Sequence, residues 1–261
     1  MRLVAAVNKA PPFSFEWLAA RLERFILPKS GGVVCISSYT MQAVKALARR
    51  TWSVPNAVNT TFFDLRNQAA TPPVVLCLAT INTRKNQNAF IHALEPLAEK
   101  LPFKVVFAGG LNEKEVYARE FLRLISTRPW CVYKGFGDVE FVKELVASAT
   151  MLALPTREDN CPMVILEAAA AGLPAAASRV GGVPDLIQDN VTGLLFDVES
   201  PAAMRDAVER LLSRPAEATA MAAAAKRYAA DHFHPNVIAR RHLEIYHEVL
   251  RETAPHRGEP E

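Results

Sequence analysis

A regular alternation of short apolar runs and amphipathic segments constrains the fold of this chain more than any other feature. Between residues 74 and 196 the apolar runs have the length of strands, and the segments between them have helical periodicity. Apolar strands that alternate with helices are typical of a parallel sheet covered by helices on both faces. We therefore predict an α/β fold with a Rossmann-like parallel sheet, which binds its ligand at the carboxyl ends of the strands. The predicted strands are Val74–Ala79, Phe103–Ala108, Trp130–Tyr133, Met151–Leu154, Pro174–Ser178 and Gly193–Phe196. The helices predicted between them include Asn86–Lys100, Glu113–Ser126, Val139–Ser148 and a short helix at Pro184–Gln188.

The residues after the fourth predicted strand have the features of a helix start. Pro162 stands where a first helical residue tolerates proline, because the N–H that it lacks would be unpaired there anyway. The first-turn N–H groups of Met163 and Val164 would then point out of the helix, where aligned peptide dipoles favour an anion such as a phosphate. The sequence therefore predicts a helix that begins at Pro162 and faces an anion.

Two carboxylates flank this predicted helix start. Asp159 lies just outside it, and Glu167 lies about 7 to 8 Å along the helix axis from Pro162. Carboxylates accept hydrogen bonds from sugar hydroxyls, so a diphosphate with a hydroxyl-bearing group on each side would use both of them. The same residues also fit an ordinary helix that is capped by Asn160 and keeps Glu167 on a solvated face. This stretch alone leaves both interpretations open.

The composition indicates a globular protein with small or local partners. Half of the 261 residues are hydrophobic, 22% are charged, and the formal net charge of +3 does not favour a nucleic-acid-binding surface. The four cysteines lack Cys-x-x-Cys spacing, which argues against a zinc site or a disulfide scaffold and favours a reducing compartment. His232 and His234 are close together but have no third metal ligand at a suitable spacing.

The first sixty residues predict an incomplete α/β unit. Its elements are too few to close a doubly wound layer with helices on both faces. They are a short strand at Met1–Val7, a helix at Phe15–Leu27, a strand at Val33–Ser37, a helix at about Tyr39–Arg50 and an extended piece at Trp52–Asn59. A polar, proline-marked segment at residues 60–73 then predicts a linker. Three amphipathic helices are predicted to follow the main sheet, at Pro201–Ser213, Ala216–His232 and Pro235–Glu252.

Four motifs occur in order, each in the loop after a predicted strand. They are Arg84-Lys85-Asn86-Gln87 after the first strand, Gly135-Phe136 after the third, Asp159 to Glu167 after the fourth, and Gly181-Gly182-Val183-Pro184 after the fifth. Together with the small-residue helix that ends in Gly172-Leu173-Pro174, this order resembles the donor-binding half of a retaining glycosyltransferase of family 4, which has a GT-B fold. The resemblance covers the chain from about Trp52 to its end.

The resemblance implies a role for each matching residue. Glu167 would accept hydrogen bonds from the ribose of the donor, and Asp159 would face the hydroxyls of the transferred sugar. Lys85 would reach the diphosphate with Arg84 beside it, and both would stabilise the negative charge that develops on the leaving nucleotide. We therefore assign Asp159, Lys85 and Arg84 to catalysis and Glu167 to donor binding.

Other donor-binding residues follow from the same resemblance. Gly181 and Gly182 would allow close backbone approach to the donor, although either glycine alone fits a plain strand-to-helix turn equally well. The backbone around Lys134–Phe136 would hold the base. Family members of this type generally need no metal for donor binding and have no clear protein nucleophile, so we expect no metal or cofactor and name no nucleophile. The full set of further donor-binding predictions is Thr80, Gly135, Phe136, Cys161, Met163, Val164, Gly181 and Gly182.

Two positions depart from the pattern of the family. Asp159 replaces the usual first glutamate, which shortens the reach of the carboxylate by one methylene group; the neighbouring Glu158 would restore the length but break the spacing. Ala79-Thr80 stands where a Gly-Arg pair is usual, so one cation of the phosphate clamp is absent and Arg84 would have to supply it.

The resemblance also implies a domain organisation. Residues 1–59 would be the end of an N-terminal acceptor domain, 60–73 a linker, 74–234 the nucleotide-sugar donor-binding domain, 235–254 a C-terminal crossing helix and 255–261 a frayed tail. An acceptor domain of ordinary size would need on the order of 100 further residues before Met1. We expect transfer to need that domain.

The function implied by the resemblance is transfer of a hexose-type sugar, with retention of configuration, from a nucleoside-diphosphate sugar. The acceptor stays open between a saccharide, a lipid-linked glycan and a small molecule. Two alternatives are a fragment that binds the nucleotide sugar without transferring it and a GT-B-like sugar-nucleotide epimerase.

No apolar run reaches the roughly 18 residues of a membrane span. The expected location is the cytoplasm, and a peripheral contact with the inner face of the membrane stays open.

Overall fold

The computed structural model describes residues 11–253. Of these, residues 11–57 and 235–253 form one compact unit, and residues 58–234 form the other. The predicted strand at Met1–Val7 and the predicted tail at 255–261 lie outside the described residues.

The described elements follow the predicted alternation closely. The helices are α1 (Phe15–Ile26), α2 (Ser38–Val44), α3 (Gln87–Ala98), α4 (Val116–Ser126), α5 (Val139–Ser148), α6 (Met163–Ala171), α7 (Pro201–Ser213), α8 (Pro215–His232) and α9 (Pro235–Thr253). The strands are β1 (Val33–Cys35), β2 (Thr51–Ser53), β3 (Val74–Leu78), β4 (Lys104–Ala108), β5 (Cys131–Tyr133), β6 (Met151–Leu154), β7 (Ala175–Ser178) and β8 (Leu194–Phe196).

Three of the predicted helices illustrate where the structure differs from the sequence pattern. The helix predicted at about Tyr39–Arg50 ends at Val44, because the chain must turn back before Thr51 can pair in parallel with Val33. The short helix predicted at residues 184–188 is a single 3-10 turn, Val183–Asp185. The central helix begins at Met163 rather than Pro162, since Pro162 has the extended ψ of 114° and is the N-cap residue.

The second unit is built on a six-stranded parallel sheet in the order β5-β4-β3-β6-β7-β8. All five residues of β3 are buried, as expected for a central strand covered on both faces. One large apolar cluster lies along the sheet and includes Phe90 of α3, Phe107 of β4 and Phe121 of α4, with Phe107 and Phe121 in edge-to-face contact. The predicted α/β class with a Rossmann-like parallel sheet is therefore confirmed.

The strand order creates a crevice at one place on the carboxyl edge of the sheet. From β3 the chain moves outward through β4 to β5, then returns to β6 on the other side of β3 and continues to β7 and β8. The loops after β3 and β6 therefore leave neighbouring strands in opposite directions. In open α/β sheets this switch point is where ligands bind.

Helix α6 follows β6 directly and is buried along most of its length. Its sequence is apolar on nearly all sides, and its run of alanines packs closely against α8. Gly172 ends the helix in the left-handed region, with φ of 70°, where its N–H bonds to carbonyls of the last turn. The buried packing fixes the start of α6 at the crevice.

The first unit contains the parallel pair β1 and β2 together with α1, α2 and α9. Val54, Ile238 and Ile245 form its small buried apolar cluster. The indole N–H of Trp52 donates to the carboxylate of Glu248 at 3.1 Å. Among the helices of residues 11–253, none is long and apolar enough to cross a membrane.

Candidate functional site

The loops after β3 and β6 meet at the switch point through an ion pair. Lys85 Nζ donates to Asp159 Oδ2 at 2.5 Å, and the two side chains are only 12% and 14% exposed. The residues are 74 positions apart in sequence, so only the strand order brings them together. Two of the three residues assigned to catalysis therefore contact each other directly.

The loop after β3 is shaped so that Lys85 points into the crevice. Residues 83–85 form a 3-10 turn, and the side chain of Asn82 accepts a hydrogen bond from the Lys85 N–H at 3.0 Å. Asn86 adopts the left-handed conformation, with φ of 60°, and α3 then begins at Gln87. Gln87 Nε2 donates to the carbonyl of Thr80 at 3.0 Å, which holds the start of this loop.

Backbone hydrogen bonds join the loop after β3 to the loop after β6. The carbonyl of Arg84 accepts from the Arg157 N–H at 2.7 Å and from the Thr156 hydroxyl at 3.2 Å. The guanidinium of Arg84 donates to the carbonyl of Glu158 at 3.2 Å. Arg84 is thus near the ion pair and helps to hold the loop that carries Asp159; its predicted contact with a diphosphate stays a prediction.

Thr156 and Ser178 are fully buried hydroxyl residues that the motif analysis did not identify. The Ser178 hydroxyl donates to the carbonyl of Thr156, and the Thr156 hydroxyl lies 2.9 Å from the carbonyl of Glu158. Their sequence signal is a hydroxyl residue at the end of a buried apolar strand, as for Ser178, or two residues after one, as for Thr156. They link the loops after β3, β6 and β7.

Gly181 packs against the backbone of Asp159. Its φ is 54°, and a Cβ atom at this position would lie 2.1 Å from the Asp159 carbonyl oxygen. The next residue, Gly182, donates its N–H to the same oxygen at 2.8 Å. The close approach that the structure shows at these glycines is therefore to Asp159; the predicted approach to a donor stays a prediction.

Glu167 lies on α6, one helical turn past Met163 and Val164. Burial raises the pKa of its carboxyl group above the ordinary value. Met163 and Val164 are partly exposed at the start of the helix, Cys161 is buried just before it, and the N-cap residue Pro162 makes no side-chain capping bond. The first-turn N–H groups are thus not capped by a side chain at that position, as an anion site requires.

We expect Glu167→Gln to stabilise the protein at neutral pH. A carboxyl group whose folded-state pKa is raised favours folding below its unfolded pKa, and this contribution is lost as the pH rises through the folded pKa. Glutamine is neutral throughout, so the gain in free energy of unfolding over wild type should be small at pH 4 and largest above neutrality. Urea denaturation of both proteins at several pH values would measure this difference. A gain that does not change with pH would contradict it.

Gly135 and Phe136 lie at the far end of the same sheet edge. They follow β5, which β4 and β3 separate from β6, so three strand spacings of about 4.8 Å put them roughly 14 Å from the loop of Asp159. Phe136 is 81% exposed. Gly135 has φ of 77° and no neighbour within 4 Å of a Cβ position. This distance suits a ligand longer than a diphosphate, such as a nucleotide.

The potential metal ligands and the cysteines of the described part of the chain are scattered. Within residues 11–253 no three His, Cys, Asp or Glu side chains are grouped so that they could hold a metal ion. Cys35, Cys77, Cys131 and Cys161 are all buried, and none of them forms a disulfide. Burial raises the pKa of the Cys77 and Cys131 thiols to about 12, so these two are poor nucleophiles.

The sequence relationships identify the family of the chain. Residues 59–228 match the family of glycosyl transferases group 1, and the chain belongs to that family. The matched range contains the whole six-stranded sheet, Lys85, Asp159 and Glu167.

Two curated relatives illustrate the range of the family. A GDP-mannose-dependent alpha-(1-6)-phosphatidylinositol monomannoside mannosyltransferase of Mycolicibacterium smegmatis is 31% identical over 169 residues, which are 62% of this chain and 44% of the relative. A D-inositol 3-phosphate glycosyltransferase of Corynebacterium diphtheriae is 29% identical over 153 residues, which are 56% of this chain and 36% of the relative. This chain thus spans less than half the length of both relatives.

Solved structures show the same fold. A glycosyltransferase from Rickettsia africae superposes with a TM-score of 0.78 at 19% identity, over 93% of this chain and 69% of that chain. HepE of Anabaena, solved in complex with UDP-glucose, superposes with a TM-score of 0.77 at 18% identity, over 94% of this chain and 71% of that chain. At these identities the likeness establishes the GT-B fold.

Proposed function

We propose that residues 58–234 bind the donor of a retaining glycosyltransferase of family 4, which transfers a hexose from a nucleoside-diphosphate sugar. One observation carries the proposal. The loops at the switch point bring Lys85 and Asp159 together, close in sequence to the uncapped start of α6, inside the range that matches the family. A cation, a carboxylate and a helix N-terminus are the groups that a sugar diphosphate needs.

Each part of the donor finds a chemical partner in this arrangement. The diphosphate takes Lys85 and the N–H groups of Met163 and Val164, and the sugar hydroxyls donate to Asp159. Glu167, which lies further along α6, accepts from the ribose hydroxyls. The base extends along the sheet edge toward Gly135. The position of Glu167 near the α6 start and the distance to Gly135 support this order of contacts.

Charge stabilisation is the main catalytic device of this site. Breaking the bond between the sugar and the diphosphate places additional negative charge on the leaving nucleotide. Lys85, the dipole of α6 and the nearby guanidinium of Arg84 stabilise that charge most strongly as it develops. No metal ion enters this scheme.

The relatives support a nucleotide-sugar donor without fixing its identity. One is named as GDP-mannose-dependent, and the solved HepE complex contains UDP-glucose. We place acceptor recognition outside residues 58–234 and propose that transfer requires an acceptor domain. The four buried cysteines, none of which forms a disulfide, support a reducing, cytoplasmic location.

A ligand panel tests this proposal directly. Thermal unfolding of the protein would be followed with UDP, GDP and ADP and with UDP-glucose and GDP-mannose, since a ligand that binds the folded state raises its melting temperature. We expect one base to be preferred and both its diphosphate and its sugar nucleotide to stabilise the protein, with no requirement for a divalent cation. Absence of any shift across the panel would overturn the proposal.

We expect Glu167→Gln to weaken binding of the preferred nucleotide by about tenfold or more, because a neutral amide accepts weaker hydrogen bonds from the ribose than a carboxylate does. Isothermal titration would measure the affinity. The 2′,3′-dideoxy form of the nucleotide provides the control, since it should bind wild type and variant with similar affinity. Equal loss for the ribose and dideoxyribose nucleotides would remove the assigned role of Glu167.

A further inference from the structure

The ion pair between Lys85 and Asp159 places the two groups assigned to the diphosphate and to the sugar in contact with each other. We propose that Asp159 makes the site select a sugar-bearing diphosphate over the free nucleoside diphosphate, because a ligand must take Lys85 away from it. This inference rests on the proposed function. It adds a specificity determinant that also favours release of the nucleotide product.

The geometry shows which partner moves. The backbone of Asp159 is held by the N–H of Gly182 at 2.8 Å, and Gly181 packs against the same carbonyl. Lys85 has a four-carbon stem with freely rotating bonds, so its ammonium can reach a phosphate while the carboxylate stays in place. A bound diphosphate therefore leaves the Asp159 carboxylate, which is 14% exposed in the pair, without its cation.

The two ligands differ in the hydrogen-bond donors that they offer to the Asp159 carboxylate. A sugar nucleotide has an esterified terminal phosphate and offers hydroxyl donors, so the carboxylate exchanges one charge-assisted bond for others. A free diphosphate has no such hydroxyl, and its terminal phosphate carries a further negative charge above a pKa of about 6. A second anion beside an unpaired carboxylate is strongly disfavoured. Asp159 thus penalises the product more than the substrate.

The neighbouring cations are held in a different way. The guanidinium of Arg84 donates to the backbone carbonyl of Glu158, and Nε of Arg157 donates to the side-chain oxygen of Asn86 at 3.1 Å. Both of these contacts are to neutral oxygens, so breaking either of them leaves no carboxylate in place of the lost contact. The selectivity therefore depends on the Lys85–Asp159 pair.

The test compares Asp159→Asn with wild type by isothermal titration, using UDP with UDP-glucose and GDP with GDP-mannose. We expect the variant to bind the free diphosphate of the preferred base about tenfold more tightly, a change of about 1.4 kcal/mol, and the sugar nucleotide no more tightly. Glu158→Gln makes the same change of charge one residue away and should leave the affinity ratio as in wild type. Asp159→Glu keeps the charge and should keep the preference.

The outcomes separate this inference from the proposed function. Suppose that wild type binds both members of a nucleotide pair and that Asp159→Asn changes both affinities by the same factor. This result would overturn the selectivity but leave the donor site intact. A weaker affinity for the free diphosphate in the variant would also overturn it. If wild type binds neither member of either pair, both the proposed donor site and this inference are wrong. Melting curves check that each variant is folded.

Discussion

Replacing Gly181 by alanine should abolish donor binding and lower the free energy of unfolding by about 3 kcal/mol or more. The left-handed φ of 54° is unfavourable for alanine, and its Cβ atom would lie 2.1 Å from the carbonyl oxygen of Asp159. Because that oxygen is part of the backbone, relief of the clash must move the backbone of residue 181 or of Asp159, and either movement disturbs the loop contact beside the Lys85–Asp159 pair. The substitution therefore damages the site as well as the fold.

Gly172→Ala is the matched control for this prediction. Gly172 also has a positive φ, of 70°, but the nearest neighbour of its Cβ position is Cδ of the Lys226 side chain at 3.5 Å, an ordinary van der Waals distance. The Gly172→Ala variant should lose only about 1 to 2 kcal/mol of unfolding free energy, the cost of a left-handed backbone conformation for alanine. Its affinity for nucleotide should stay unchanged. Chemical denaturation and titration would be measured on both variants. Equal effects of the two substitutions would show that the contact with Asp159 carries no part of the site.

The alternation of elements could be read from the sequence because each carries its own local signal. The strand at Met151–Leu154 and the helix at Val139–Ser148 were predicted with the bounds that the structure has. Prediction was less accurate where the bounds of an element depended on pairing with a segment distant in sequence. The helix after Ser38 is shorter than predicted because β2 must return beside β1, and pairing between strands leaves little trace in local periodicity.

The candidate site was predicted as a set of separate residues rather than as a network. The order of motifs indicated that Lys85 and Asp159 would lie at the same sheet edge, but not that they would form an ion pair. The contacts of Thr156 and Ser178 with backbone carbonyls depend on the positions of three loops at once. Such contacts between side chain and backbone do not require a distinctive residue pattern, which is why the sequence did not reveal them.

The choice of Asp159 over Glu158 shows what the structure adds to a motif. Both carboxylates follow β6, and the spacing to Glu167 favoured Asp159 although its side chain is shorter. In the structure Asp159 reaches Lys85 from a backbone held by Gly182, whereas the carbonyl of Glu158 accepts bonds from Arg84 and Thr156. A glutamate at position 159 would have to fit one more methylene group into the same contact. The shorter residue is compatible with the close approach of Gly181 to this loop.

Among substitutions that change a charge, Lys85→Met is expected to have the largest effect on binding. The variant removes the cation that the diphosphate needs, and we expect nucleotide affinity to fall about 100-fold, which corresponds to about 2.7 kcal/mol. It also leaves the Asp159 carboxylate largely buried without its cation, so the free energy of unfolding should fall by about 2 kcal/mol. Titration and urea denaturation would measure the two losses separately.

The double variant Lys85→Met with Asp159→Asn distinguishes the two effects. With both charges removed no carboxylate is left unpaired, so most of the lost stability should return, as expected for two residues that form one pair. Nucleotide affinity should stay low, because the neutral amide introduced at position 159 does not replace the cation at the diphosphate. If the double variant instead recovered binding along with stability, Lys85 would serve only to neutralise Asp159, and the charge that holds the donor would have to come from Arg84 or Arg157.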